Sequence, residues 1–240
     1  MPATSPTPGR KVRTPRERAR AQTIADIVEL GRKHLAERGA AALSLRAVAR
    51  DLGVVSSAVY RYVGSRDELL TLLLVDAYND LGDAVDAAVE SVLPEDFKGR
   101  FAALARAVRS WALREPARYG LLFGSPVPGY QAPAERTTMP GTRVVNSLVR
   151  ILDSAHRAGA LTERSTSALL PALTVDVEGI RRELNVTVPD VPLARGALVW
   201  TSLFGAVSFE VFGQYGAGTF SAPDELFEHH IAALADLAGL

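Results

Sequence analysis

At 240 residues, 48% of them apolar and 22% charged, the chain is long enough to bury a sizeable core and too evenly mixed for a disordered or fibrous protein. It has no cysteine, which excludes disulfide scaffolding and thiolate chemistry and makes the cytoplasm the expected compartment. The formal net charge of zero hides a split: positions 1–66 carry 13 Lys and Arg against 5 Asp and Glu, whereas positions 67–240 carry 14 against 22. A basic end on an acidic body reads as a phosphate-binding module on a carrier that phosphate repels. No membrane span is expected, because the uncharged stretch 196–209 is too short and 119–134 is broken by Pro126, Pro128 and Pro133. The polar, proline-rich start lacks the apolar segment of a secretory leader.

Residues 1–15 hold Pro2, Pro6, Pro8 and Pro15 with Gly9, Arg10, Lys11 and Arg13, the pattern of a flexible basic arm. From Arg16, a helix is predicted in which Ile24, Ile27, Val28, Gly31 and Leu35 share one face until Gly39. Ser44 is a good N-cap for a short second helix through Leu45, Val48, Ala49 and Leu52, which Gly53 stops. A third short helix covers about 56–62 and ends at Gly64. Ser65 caps a longer helix over 65–92, with Asp67 and Glu68 in the first turn, where the helix dipole favours acid. Its apolar face is Leu70, Leu74, Ala77, Leu81, Val85 and Val89; Asp76, Asp80 and Asp83 fall mostly elsewhere.

Further helices are predicted at about 97–114, 116–123, 141–158, 165–184, 193–215 and 224–237, each with apolar spacings of three and four. The loop 124–138 is the longest irregular piece. No strand alternation or internal repeat stands out. The predicted fold class is all-α, with a three-helix N-terminal domain over 16–64 and a larger helical domain over 65–240.

Two short helices joined by a tight glycine turn, with apolar residues facing inward, make a helix-turn-helix. Leu45, Val48, Ala49, Leu52 and Val59 would pack the pair, and Gly53 would permit the turn. Small polar residues at the start of the second helix, Ser56 and Ser57, would approach base edges, while its first backbone amides suit phosphate.

The stretch TIADIVELGRKHLAERGAAALSLRAVARDLGVVSSAVYRYVGSRDELL closely resembles the DNA-binding domain of the TetR family, over about 16–74. The resemblance implies that Tyr60 and Tyr62 touch the DNA backbone, and that Arg66, usually lysine, meets phosphate at the start of the fourth helix. It places Ser44 and Arg46 where the second helix meets the backbone, and Ser56, Ser57 and Arg61 on the recognition helix. Val55 departs from the usual capping Ser or Thr, and Val63 from the usual Phe. The bland alternatives are that Tyr60 is a core aromatic and that Arg46 and Arg66 are ordinary solvated charges. Farther on, WALREPARYGLLFG and WTSLFGAVSFEVFG look like a TetR C-terminal variety named for a Trp…His-Gly motif, with Phe204 where histidine would stand.

Catalytic and metal signals are poor. His34, His156, His229 and His230 lack ligand spacing, and no phosphate loop, dinucleotide fingerprint or nucleophile elbow occurs, so no enzyme activity, cofactor or metal is expected. Arg181 and Arg182 beside Glu178 and Glu183 read as helix-face ion pairs. Asp176 and Glu178, beside Leu173, Val177 and Ile180, and Glu210, between Phe209 and Val211, are carboxylates near apolar faces; each either faces solvent on the opposite side or needs a partner and orients a ligand. Aromatic residues collect in the larger domain, where they are core or line an apolar pocket; Trp111, Phe123, Trp200 and Phe204 are the lining candidates, with an entrance near 124–138.

The reading is a homodimeric regulator, a repressor by resemblance, binding a palindromic double-stranded DNA operator and released by an unknown, mostly apolar small molecule. The resemblance implies pairing through the helices near 165–184 and 193–215, where Thr201, Ser202, Gly205 and Ser208 permit close approach. One alternative is a DNA-binding regulator without a small-molecule ligand, an activator or one controlled by a partner protein; another is an enzyme carrying an incidental helix-turn-helix. An enclosed apolar cavity speaks against the first, and the absence of converging titratable groups against the second.

Overall fold

A computed structural model describes residues 14–162 and 168–240. Among the described residues there are eleven α-helices and one short 3-10 turn, and no strand. The chain divides into two compact units, Met1–Leu73 and Leu74–Leu240, here called the head and the body. The division falls inside the fourth helix rather than at its start near 65.

In the head, α1 spans Pro15–Arg38. It begins in a reciprocal cap: the Glu17 amide donates to the Thr14 hydroxyl at 3.2 Å, and the Thr14 amide donates to the Glu17 carboxylate at 2.8 Å. Proline at the first helical position loses no bond there. Thr14 therefore caps α1 and Pro15 is its first residue; residues 1–13 of the expected basic arm lie outside the described ones. A 3-10 turn at Ala40–Ala42 leads to α2, Leu45–Asp51, and α3, Ser56–Tyr60. Gly53 joins these two at φ +73, a left-handed conformation that glycine adopts without steric cost. α4, Arg66–Glu90, follows; the Glu68 amide donates to the Ser65 hydroxyl at 3.1 Å, as an N-cap requires.

Ile27, Leu35, Val48, Val59, Val63, Leu69 and Leu70 are buried in the head's core. Burying each such side chain is worth about 1.5–3 kcal/mol. Gly31 lets α1 meet α4, since a Cβ there would stand 3.2 Å from Leu73 and 3.3 Å from Leu69. Val63, the departure from the family's usual phenylalanine, is fully buried.

In the body, α5 (Phe97–Arg114) packs against α6 (Pro116–Phe123), α8 (Arg143–Arg157), α10 (Asp190–Val211) and α11 (Pro223–Ala238). Phe101, Leu104, Val108 and Trp111 of α5 meet Leu148 and Leu152 of α8, Val199 and Leu203 of α10, and Ile231 of α11 in one apolar cluster. Gly196 brings α10 close to α8; a Cβ there would lie 2.8 Å from the Leu152 side chain.

The expected helix at 141–158 is α8 (Arg143–Arg157), whereas the expected loop 124–138 holds an additional short helix, α7 (Ala134–Gly141), which shortens the irregular piece to 124–133. No residue of α7 is buried, so it carries no apolar stripe by which sequence could reveal it. α9 spans Pro171–Leu184; the expected start at Ser165 lies outside the described residues. α10 begins earlier and ends earlier than 193–215, stopped where Gly213 takes φ +67. α10 is long and apolar enough to cross a membrane by length and composition, but Leu193, Val199, Leu203 and Val207 give it a face buried in the core.

Candidate nucleic-acid interface

The α2–turn–α3 geometry gathers residues that are scattered in sequence. Ser44, Arg46, Tyr60 and Arg66 border one recess of about 270 Å³ over Leu43 and Leu45. Val59 anchors α3 in the core, so the next residue, Tyr60, points outward and is 45% exposed. Ser57 and Arg61 are also exposed, and Ser56 is half-buried at the first turn of α3. Val55 occupies the N-cap of α3 with no side-chain hydrogen bond to it and is 71% exposed. Ser44 is the N-cap of α2, yet its hydroxyl makes no capping bond either.

Arg66 is already engaged. Its guanidinium donates to the carbonyls of Ala40 and Ala41 at 3.0 and 3.3 Å and lies 3.7 Å from the Asp67 carboxylate. These bonds fix the group at the recess edge, and a guanidinium has five N–H donors, so others remain for an anion. Sequence reasoning missed Arg20. From α1 it donates to the Arg61 carbonyl at 3.5 Å and stands 5.3 Å over the ring of Tyr62, holding the end of α3 from behind. The basic run Arg16, Arg18, Arg20 was its one visible signal. His34, also unassigned from sequence, is buried and bonds Asp51 at 2.7 Å, which together with Arg50 keeps that carboxyl below its ordinary range against a smaller opposing effect of burial.

In the body, polar groups far apart in sequence meet. Arg118, 5% exposed, donates to Asp80 at 2.6 Å and to the Asp76 carboxylate at 2.9 Å, and its guanidinium lies 5.4 Å over the Trp111 ring. Asp80 also accepts from the Trp111 indole at 2.9 Å. Arg143 of α8 reaches Asp83 at 2.8 Å and Asp86 at 2.6 Å; Gly82 leaves room for it, since a Cβ there would stand 2.8 Å from the guanidinium. Three of the α4 acids that fall off the apolar face, Asp76, Asp80 and Asp83, thus have arginine partners. Glu210 finds the partner it needs in Arg109, bound through two bonds of 2.6 Å. Arg181 pairs with Asp190, and Arg182 donates to the Glu178 carbonyl, so the expected pairs with the Glu178 and Glu183 carboxylates are replaced.

Trp111 sits in the core with its indole engaged. Phe204 packs against both Phe123 and Trp200, with ring centroids 4.6 and 4.1 Å apart. An apolar cavity of about 370 Å³ lies elsewhere, at the end of α10, and none of the four expected lining residues borders it. Among the described residues, no group of three His, Asp or Glu side chains is placed to hold a metal ion.

Residues 27–73 match the family of bacterial regulatory proteins described as the tetR family, and residues 101–234 match the tetracyclin repressor-like C-terminal domain. HTH-type transcriptional regulators of Mycobacterium tuberculosis and Mycobacterium bovis are each 50% identical to the chain over 214 residues, 89% of this chain and 91% of theirs. Among solved structures, SCO4313, a protein assigned as regulatory, has a TM-score of 0.74 at 36% identity and covers 92% of this chain and 98% of its own. The TetR family regulator PfmR of Thermus thermophilus shares the fold at 20% identity, with a TM-score of 0.55 over 95% of this chain and 97% of its own.

Proposed function

The chain belongs to the tetR family of bacterial regulatory proteins and is a DNA-binding transcriptional regulator rather than an enzyme; we propose that it is a cytoplasmic homodimeric repressor that leaves a palindromic operator when a small molecule binds its body. The recess carries the DNA half of this reading: Ser44, Arg46, Tyr60 and Arg66 converge on one face of the head, beside the exposed Ser57 and Arg61 of α3. In this reading Arg46, Tyr60, Tyr62, Arg66 and Ser44 hold phosphates, while Ser56, Ser57 and Arg61 read base edges. Pairing through α9 and α10 would set two recognition helices about one DNA turn apart, roughly 34–36 Å or a multiple. The outward face of α10 supports this, because Ala197, Thr201 and Gly205 recur every fourth residue, exposed and uncharged.

The sensing half rests on α4, which contributes Arg66 to the head and Asp76 and Asp80 to the body. A ligand that favours a displaced α4 over the DNA-bound arrangement releases DNA; one with equal affinity for both changes nothing. A coupling of about 1–3 kcal/mol weakens operator affinity roughly 5–150-fold. The alternative, a regulator with no small-molecule ligand, draws support from Phe204, whose ring packs against both Phe123 and Trp200 beside the body's apolar cluster.

Selection from a random DNA pool supplies the operator, and titrations at several salt concentrations then test the assignments. Arg66→Ala is expected to weaken binding to every sequence and to lower the salt slope by about one. Ser57→Ala is expected to change the preferred sequence instead. An unchanged slope for Arg66→Ala refutes its phosphate role, and a monomeric protein–DNA complex by light scattering refutes the dimer.

A further inference from the structure

Between the end of α10 and the start of α11 the chain makes a glycine-rich reversal. Gly213, Gly216 and Gly218 all take positive φ, at 67, 82 and 75, which no other residue type adopts easily. This backbone lays two rings back toward the helix. Tyr215 packs on Phe209 with centroids 5.4 Å apart, and Phe220 meets Tyr215 edge-on at 5.4 Å. Phe227 and His230 of α11 form another wall of this half-open cavity of about 370 Å³. That is near the lower end for a small-molecule site, roughly 300–1,000 Å³, and suits one or two fused rings.

The polar end of the cavity limits the ligand further. Glu210 borders the space and is held by Arg109, which also lies 2.7 Å from Asp224 and stands 5.0 Å over the Phe227 ring. One cation thus answers two carboxylates, leaving an excess negative charge that disfavours an acid. Each Glu210 oxygen accepts one bond from Arg109 and retains a lone pair for another donor. The negative charge of Glu210 reaches the wall: burial first, and then that charge, push the Tyr215 hydroxyl above its ordinary range. Nothing in this arrangement contributes to the apolar cluster that holds α5, α8 and α10 together except Phe227.

We propose that this cavity, bordered by Phe209, Tyr215, Phe220 and Phe227 together with Glu210, binds a flat aromatic molecule that carries a hydroxyl or amino donor and no negative charge. The proposal gives the sensing role suggested above a place and a ligand class. The binding measurement does not involve DNA, so either reading can fail without the other.

The probe is 2-naphthol, titrated calorimetrically into the full chain at neutral pH, with 2-naphthoate as the acidic counterpart of the same shape. Binding is expected for 2-naphthol below about 1 mM, and at least about tenfold weaker for 2-naphthoate. Phe220→Ala removes an exposed ring, and Ala217→Phe fills the space from an exposed position; each is expected to weaken 2-naphthol about tenfold or more while the Trp111 and Trp200 emission stays unchanged. Failure of 2-naphthol to bind, equal binding of 2-naphthoate, or indifference to both substitutions overturns the proposal. So does a change from dimer to monomer in Phe220→Ala by light scattering, because the rings would then be packing a second copy.

Discussion

The head closes over aliphatic side chains, Ile27, Val48, Leu69 and Leu70 among them, with the buried His34 bonded to the more exposed Asp51 only 17 residues away. The body also closes over an apolar cluster, but adds polar pairs that are remote in sequence: Arg118 with Asp80 across 38 residues, Asp153 with Thr187 across 34, and Arg109 with Glu210 across 101. A head built this way can keep its surface free for a partner, since its stability comes from the inward face of each helix. In the body, by contrast, polar groups fix how the helices pack, so a change in one pair is expected to be felt along a whole helix.

The sharpest way to break this contrast is at Asp153, which is 6% exposed. Its carboxylate accepts from the Thr187 amide at 2.5 Å, the Thr187 hydroxyl at 2.9 Å and the Val188 amide at 2.9 Å, tying the chain between α9 and α10 to α8. Asp153→Ala strands the buried Val188 amide and is expected to cost about 2–4 kcal/mol in urea melts. Both tryptophans, Trp111 and Trp200, lie in the body and report on it selectively. Burial alone would raise the Asp153 pKa, but the Thr187 and Val188 bonds outweigh it and lower the value. The folded form therefore binds the proton less readily than the unfolded one. The stabilisation is fully present above the unfolded value of about 3.9 and is lost as pH falls through the lower folded value. Wild-type and Asp153→Ala stabilities should converge in that acidic window; a constant gap down to the acid limit contradicts the assignment.

A smaller loss is expected from Arg118→Met. The substitution keeps much of the apolar stem but leaves Asp76 and Asp80 without their arginine, at a cost of about 2–3 kcal/mol, moderated because both carboxylates are partly solvated. The same melts check it, and no change would mean that the body's charges merely decorate an apolar core.

The smallest effect should come from the head. Val55→Ser supplies the hydroxyl that the N-cap of α3 lacks and is expected to stabilise that helix by about 0.5–1 kcal/mol. Hydrogen exchange at the α3 amides reads this change directly, while tryptophan emission from the body should not move. Slower exchange throughout the body would show that the two units do not respond separately.

Resemblance to the family named the residues of the recess; the sequence's own spacing determined the all-helical class, the helix-turn-helix and the turn at Gly53. Each depends on contacts within a few turns of helix, which spacings of three and four, caps and glycines record directly. It did not determine α7, which buries nothing, nor the partners of Asp80, Asp153 and Glu210. It also sent Trp111, Phe123, Trp200 and Phe204 to a pocket, whereas tertiary packing put Trp111 in the core, stacked the other three, and opened a cavity beside Phe209 and Tyr215. The reason is geometric: a buried charge or a cavity wall is defined by groups from several helices. Their apposition depends on how those helices cross, and periodicity along one helix carries no record of the crossing.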